Sequence, residues 1–168
     1  MNLTINTKRL VLTPFCIDDV ELFHQLNINS YVREFMWDDE EITLDTAKEI
    51  MQRNERHFEE DGFGIWKVVL KETDELIGYT GLWYFFNEKQ PQLIYALLKQ
   101  FTKRGYAHEF SKAIIRYSFE TLNFKYLIAA TDEPHIESQK VAKGLGMKLF
   151  EKRIENEKPT LFFRIEKG

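Results

Sequence analysis

The stretch Gln100-Phe-Thr-Lys-Arg-Gly-Tyr-Ala-His-Glu109 decides how the rest of the chain is read. Before it, Leu93-Ile-Tyr-Ala-Leu-Leu98 is a short, mostly apolar run of strand length. After it, Phe110, Ala113, Ile114, Tyr117 and Thr121 recur at helical spacing and mark one face of an amphipathic helix. A basic loop with a glycine therefore joins a strand to the start of a helix. Such a turn leaves backbone N–H groups unpaired, with the positive end of the helix dipole behind them. That combination suits a phosphate, and Lys103 and Arg104 add mobile positive charge at its rim. Taken alone, Lys103-Arg-Gly105 also reads as a plain solvated turn. Its surroundings change the reading.

Downstream, Tyr126-Leu-Ile-Ala-Ala-Thr131 has the pattern of a buried strand. Asp132-Glu-Pro-His-Ile-Glu-Ser138 then opens a short helix that ends at Leu145-Gly146, with Gly146 a natural left-handed cap. Upstream, Leu10-Val-Leu-Thr13 is the first strand, stopped by Pro14. Asp18 and Asp19 can cap a helix carrying Val20, Leu22, Phe23 and Leu26, which Asn27 to Tyr31 break. From Tyr31 to Ile42 the chain is both aromatic and acidic, and the expectation is irregular structure. Thr43 caps a further helix with Ala47, Ile50, Met51, Asn54 and Phe58 at helical spacing, ended by Asp61-Gly62. Ile65–Leu70 and Glu75–Phe86 read as strands joined by turn chemistry at Glu72-Thr-Asp74. Lys148–Ile154 and Thr160–Ile165 form a closing hairpin around Glu155-Asn-Glu-Lys-Pro159.

Composition sets bounds on function. A chain of 168 residues with 43% hydrophobic content fits one domain, spanning residues 1–168, with a sizeable core. Fourteen phenylalanines make that core bulky. A net charge of −4 argues against general affinity for nucleic acid, which favours a basic excess. The single cysteine, Cys16, cannot form an intrachain disulfide and is compatible with a reducing cytoplasm. No apolar run has the length of a signal core or a membrane span, so the expected protein is cytoplasmic, without membrane partners. His108-Glu109 has no second histidine a turn later, and no cysteine cluster or Walker loop occurs, so no metal set is expected.

The order strand, basic glycine turn, helix, strand, second helix resembles the GNAT superfamily of acyl-CoA-dependent N-acetyltransferases. The family's pyrophosphate loop, R/Q-x-x-G-x-G/A, is matched by Gln100, Gly105 and the following Tyr106-Ala107. Its N-x-x-S helix start and K-L-G-F ending are matched by Ser138 and Leu145-Gly146-Met147. Thr7-Lys-Arg-Leu-Val-Leu-Thr-Pro14, Phe63-Gly-Ile-Trp66 and Leu76-Ile-Gly-Tyr-Thr-Gly-Leu82 resemble the opening strands of the branch that modifies ribosomal proteins. The resemblance covers nearly the whole chain. Three positions depart from it: Lys103 replaces the loop's first glycine, His135 replaces an asparagine, and Gly144 replaces a lysine, with Lys143 one place earlier.

The resemblance implies an α+β fold: a mixed, largely antiparallel sheet of about six to seven strands, splayed at its centre, with helices on both faces. It implies acetyl-CoA as cofactor and a primary amine, on a protein N-terminus or a small molecule, as acceptor. Backbone groups of Leu97 and Leu98 would hold the pantetheine arm. Amides around Lys103, Arg104, Gly105, Tyr106 and Ala107 would hold the pyrophosphate. Ser138 is the candidate general acid at the cofactor sulfur, against its reading as a helix N-terminal hydroxyl. His135 either contacts pantetheine as the usual asparagine does or titrates near neutrality. Glu109 is expected to support the helix start, while Asp132 and Glu133 lie near the expected reaction site. Trp37, Asp38, Asp39 and Glu40, with Trp66, Trp83 and Tyr84, offer an aromatic and acidic acceptor pocket; the alternative is that the aromatics are core and the acids a solvated loop. A monomer or homodimer is expected. The rival function is a regulatory or interaction module that binds CoA on the same fold without catalysis.

Overall fold

The computed structural model describes residues 2–168. Strands β1 (Ile5–Asn6), β2 (Leu10–Pro14), β3 (Ile65–Leu70), β4 (Leu76–Trp83) and β5 (Gln92–Leu97) pair in chain order as one antiparallel sheet. Strands β6 (Tyr126–Asp132), β7 (Lys148–Glu155) and β8 (Lys158–Glu166) form a second antiparallel sheet with β8 in the middle. The strands read from the sequence pattern miss only β1, two residues paired to β2 through Ile5–Leu12 and Asn6–Val11 and too short to carry a period. The closing hairpin turns on Asn156 and Glu157, both with positive φ (51° and 65°), the backbone that matches the twist of flanking strands.

Helices α1 (Val20–Ile28), α2 (Ser30–Met36) and α3 (Leu44–Asp61) cover one face of the larger sheet; α4 (Tyr106–Glu120) and α5 (Ile136–Gly144) belong to the other. The split follows strand alternation. Leu10, Leu12, Val68 and Leu97 point toward Phe110 and Ile114 of α4, whereas Tyr79 and Ala96 point toward Phe23 and Met51 of α1 and α3. Thr43 caps α3 by accepting from the Thr46 amide at 3.0 Å, and Gly62 ends it at φ +76°. No described helix is long and apolar enough to cross a membrane.

One local expectation is corrected. The segment from Tyr31 expected to be irregular begins as α2, because Asn29, which breaks α1, also caps the next helix: its side chain accepts from the amides of Tyr31 (3.1 Å) and Val32 (3.3 Å). A seven-residue helix is too short to show a clear period. The buried Asn27 anchors its far end. Its Oδ1 accepts from Trp37 Nε1 (2.8 Å) and the Tyr79 hydroxyl (2.7 Å), while its Nδ2 donates to the Phe23 carbonyl (2.8 Å).

The two sheets meet at β5 and β6, which lie side by side without a shared ladder. Gln90 Nε2 donates to the Tyr126 carbonyl at 2.5 Å and holds the starts of the two strands together. Beyond that contact the strands separate.

Candidate active site

A cavity of about 450 Å³ fills the separation between β5 and β6 and reaches the Gly105 turn at one end and α2 at the other. That volume falls in the range of small-molecule sites. Strand parity says which backbone groups face it. The Leu98 amide donates to the Ile77 carbonyl at 2.9 Å, so in the antiparallel ladder Leu98, Ala96 and Ile94 turn their backbone groups toward β4. Leu97 and Tyr95 turn theirs toward the gap. The backbone groups of Leu97 are thus free on the gap side, whereas the Leu98 amide is used by β4 and its carbonyl accepts from the Phe101 amide at 2.9 Å.

At the turn, Gly105 (φ +83°) and Lys103 (φ +63°) both adopt the left-handed backbone. For Gly105 this conformation carries no steric cost, whereas Lys103 takes up the shape that a glycine would supply. The first amide of α4 to reach a carbonyl is that of Glu109, on Gly105 at 3.0 Å. Tyr106, Ala107 and His108 thus carry the orphan donors of the helix start, and all three line the cavity. Lys103 also lines it, with a largely exposed side chain whose Nζ lies 4.0 Å from Glu137. Arg104 does not line it: its guanidinium sits 5.9 Å over the Phe101 ring, while its carbonyl takes part in the turn.

That carbonyl is held from the N-terminus. Arg9 Nη1 donates to it at 3.0 Å, and the Arg9 guanidinium lies 4.3 Å over the Tyr106 ring. Arg9 is in turn oriented by Glu109, whose carboxylate accepts from the Thr7 hydroxyl (2.6 Å), the Arg9 amide (2.8 Å) and Arg9 Nε (2.7 Å). Burial pushes the Glu109 carboxyl up, but these donors outweigh it and hold the group below the usual glutamate range. Glu109 supports the helix start, as its position suggested. Arg9 was not anticipated, since it lies a hundred residues from its partner and the Thr7-Lys-Arg run reads only as a strand opening.

At the other end, α5 presents Ser138 and His135 to the cavity. The His135 ring stacks on Phe35 of α2, with centroids 3.7 Å apart and an angle of 10° between planes. Burial lowers the His135 pKa against the opposing pull of Asp132 and Glu137, so the ring is neutral at neutral pH. The backbone of His135 occupies the N-cap position of α5 with no side-chain cap, and Ser138 makes no capping bond either. Its hydroxyl is left to the cavity. The Tyr95 hydroxyl, on a residue that lines the same cavity, is buried and without a hydrogen-bond partner among the described residues. Phe35 and Tyr95 carried no sequence signal that separated them from core aromatics.

The expected acceptor residues are only partly brought together. Asp38 lines the cavity on left-handed backbone (φ 53°) and pairs with Lys158, whose Nζ also lies 3.6 Å from Asp132. Asp38, together with Asp132, holds Lys158 above the ordinary lysine range. Glu133 is instead paired to Lys152 at 2.5 Å. Four aromatics are corrected. Trp66 is 0% exposed, donating to the Leu3 carbonyl at 2.8 Å and meeting Phe58 and Tyr117 edge-on. Trp83 is buried against His57 and beneath Arg53. Tyr84 is 37% exposed but sits by His57 and Phe63, away from the cavity. Trp37 is spent on Asn27 and steadies α2. Alternation on a doubly covered sheet buries strand aromatics on both faces, which is why Trp66 and Trp83 are core. Asp39 and Glu41 both pair with Arg33, at 2.9 and 3.2 Å, on the outside of the same turn.

Comparison with known proteins agrees with this architecture. The chain is 27% identical over 144 residues to the uncharacterized N-acetyltransferase YnaD of Bacillus subtilis (strain 168), covering 86% of this chain and 82% of that protein. An acetyltransferase from Agrobacterium tumefaciens str. C58 superposes with a TM-score of 0.82 at 25% identity, over 98% of this chain and 94% of that one. A ribosomal L7/L12 alpha-N-protein acetyltransferase solved in complex with coenzyme A shares the fold, with a TM-score of 0.81 at 14% identity over 97% of each chain. Residues 9–148 match the model of the acetyltransferase (GNAT) domain, and the chain belongs to that family.

Proposed function

We propose that this protein transfers an acetyl group from acetyl-CoA to a primary amine, on a protein N-terminus or a small molecule, in a ternary complex. One observation carries the reading: the gap between β5 and β6 runs without interruption into a glycine turn whose helix-start amides are unpaired. An extended arm ending in a diphosphate fits that shape, as an added strand with a phosphate at a helix N-terminus.

Acetyl-CoA supplies the acyl group as a thioester, already activated toward an amine. The chain's own residues do the rest. Leu97 offers its amide and carbonyl to the pantetheine arm. The amides of Gly105, Tyr106, Ala107 and His108 receive the diphosphate, with Lys103 adding charge at the rim. Ser138 holds a proton at Oγ for the sulfur as the carbon–sulfur bond breaks. His135, kept neutral by burial, accepts a proton from the amine as the carbon–nitrogen bond forms, with Asp132 as the neighbouring carboxylate. Asp38 and Asp132 hold the Lys158 ammonium in the free protein, and the same pair favours a cationic acceptor. Likeness to ribosomal-protein acetyltransferases supports a protein N-terminus as one acceptor class.

Thiol release from acetyl-CoA over a panel of small amines and N-terminal peptides tests the proposal. Release that depends on the amine, with the acetylated product seen by mass spectrometry, is the expected result. CoA binding without release from any amine supports the regulatory module instead.

A further inference from the structure

Tyr95 lines the cavity, and its hydroxyl serves no visible end in the fold. Its ring is fixed edge-on against Phe110, with centroids 5.6 Å apart. Its hydroxyl is shut off from solvent and has no hydrogen-bond partner among the described residues. Buried hydroxyls are nearly always paired, and one left unpaired in a packed site calls for an explanation. Ser138, on the first turn of α5, lines the same cavity. Burial pushes the Tyr95 phenol up to about 12 while Ser138 pulls it back, so the two groups lie within each other's influence although not in bonding geometry. Tyr31 and Glu137 stand nearby and further oppose ionisation. A phenol in these surroundings stays protonated and acts as a donor. Ser138, which faces the cavity, is the acceptor in reach.

We propose that Tyr95 is a positioning residue for Ser138: once the cavity is filled, its hydroxyl donates to Ser138 Oγ and turns the Ser138 proton toward the reacting sulfur. No proton leaves Tyr95. Its hydrogen bond stabilises negative charge building on Oγ as Ser138 gives its own proton up. The inference rests on the acyl-transfer reading of the cavity and adds to it the residue behind the acid.

The test compares Tyr95→Phe, Ser138→Ala and the double variant, each checked by thermal melting. Tyr95→Phe keeps the ring and its packing on Phe110. The expected result is a fall in kcat of about fivefold, the usual weight of one hydrogen bond, with unchanged KM for acetyl-CoA and unchanged CoA affinity by calorimetry. In the Ser138→Ala background, Tyr95→Phe should remove nothing more. A second readout does not depend on turnover. In protein labelled with 13C at the tyrosine ζ carbon, the resonance that vanishes in Tyr95→Phe should shift on CoA binding in wild type and stay still in Ser138→Ala. An unchanged kcat in Tyr95→Phe, an equal loss in the Ser138→Ala background, or a ζ-carbon shift independent of Ser138 each overturns the proposal. If wild type releases no thiol with any amine, the acyl-transfer reading fails on its own account, and the resonance alone decides whether Tyr95 reports to Ser138.

Discussion

Glu109→Gln is the sharpest probe of how the phosphate turn is built. The carboxylate accepts at 2.6, 2.8 and 2.7 Å from Thr7 and Arg9, and its side chain is 17% exposed. An amide keeps one acceptor oxygen but sets an NH2 group against a donor, so at least one bond is lost and the remainder weaken. Hydrogen bonds to a charged acceptor contribute about 1.5–3 kcal/mol each. The Arg9 side chain is 40% exposed, which discounts its ion pair to the surface value. A net loss of about 2–3 kcal/mol follows, and for a chain of this size it lowers Tm by about 5–10 °C. The effect has a pH signature. Glu109 titrates lower in the folded protein than in the unfolded chain, so its contribution is complete above the ordinary glutamate value of about 4.3 and disappears as pH falls through the lowered folded value. The difference in Tm between wild type and variant should therefore be full at pH 7 and close in acid. CoA affinity should fall as well, although Glu109 is not a proposed CoA contact, because Arg9 would no longer be held on the Arg104 carbonyl. Melting curves at neutral and acid pH, with CoA titration by calorimetry, decide the matter. Equal Tm values at pH 7, or a difference that persists unchanged into acid, would refute the reasoning.

Gly105→Val places a β-branched residue at φ +83°, with a Cβ 3.3 Å from Arg9 Nη2, and should weaken CoA binding at least tenfold in protein that remains folded by circular dichroism. Lys103→Gly should leave CoA affinity within a few-fold of wild type and change stability by less than about 1 kcal/mol, since relief of the left-handed strain offsets glycine's entropy; a large affinity loss would make Lys103 a principal contact. Ser138→Ala should lower turnover by about a hundredfold or more with little change in acetyl-CoA affinity, and an affinity loss instead would make the hydroxyl a binding group. His135 has a folded pKa below its unfolded value of about 6.5, so wild type loses stability as pH falls from there toward the folded value. His135→Asn should melt with a flatter pH dependence over that window, and parallel curves would contradict the assignment of a buried neutral ring.

Local chemistry made most of the fold legible. Thr43 and Gly62 bound α3 by cap and left-handed stop, and Phe110 and Ile114 mark the buried face of α4 by spacing. α2 was hidden because Asn29 breaks one helix and caps the next within a single residue. The turn from Lys103 to Ala107 was readable because a glycine beside a helix start reveals its backbone shape. The acceptor end was not. Trp66, Trp83 and Asp38 look alike as candidates in one dimension, and only the coverage of both sheet faces separates the core indoles from the carboxylate at the cavity. Arg9 and Tyr95 are placed by distant segments, Arg9 against Glu109 and Tyr95 in the cavity that α5 also lines. No periodicity registers such pairs.

If the β5–β6 cavity of this family member acetylates amines, turnover must depend on the amine. The most direct test follows thiol release and product mass together, with acetyl-CoA and the amine panel, against buffer alone. The expected result is amine-dependent release with one acetylated amine formed per thiol freed, abolished or strongly reduced in folded Gly105→Val. Release no faster than in buffer with every amine, in protein that still binds CoA, would contradict it.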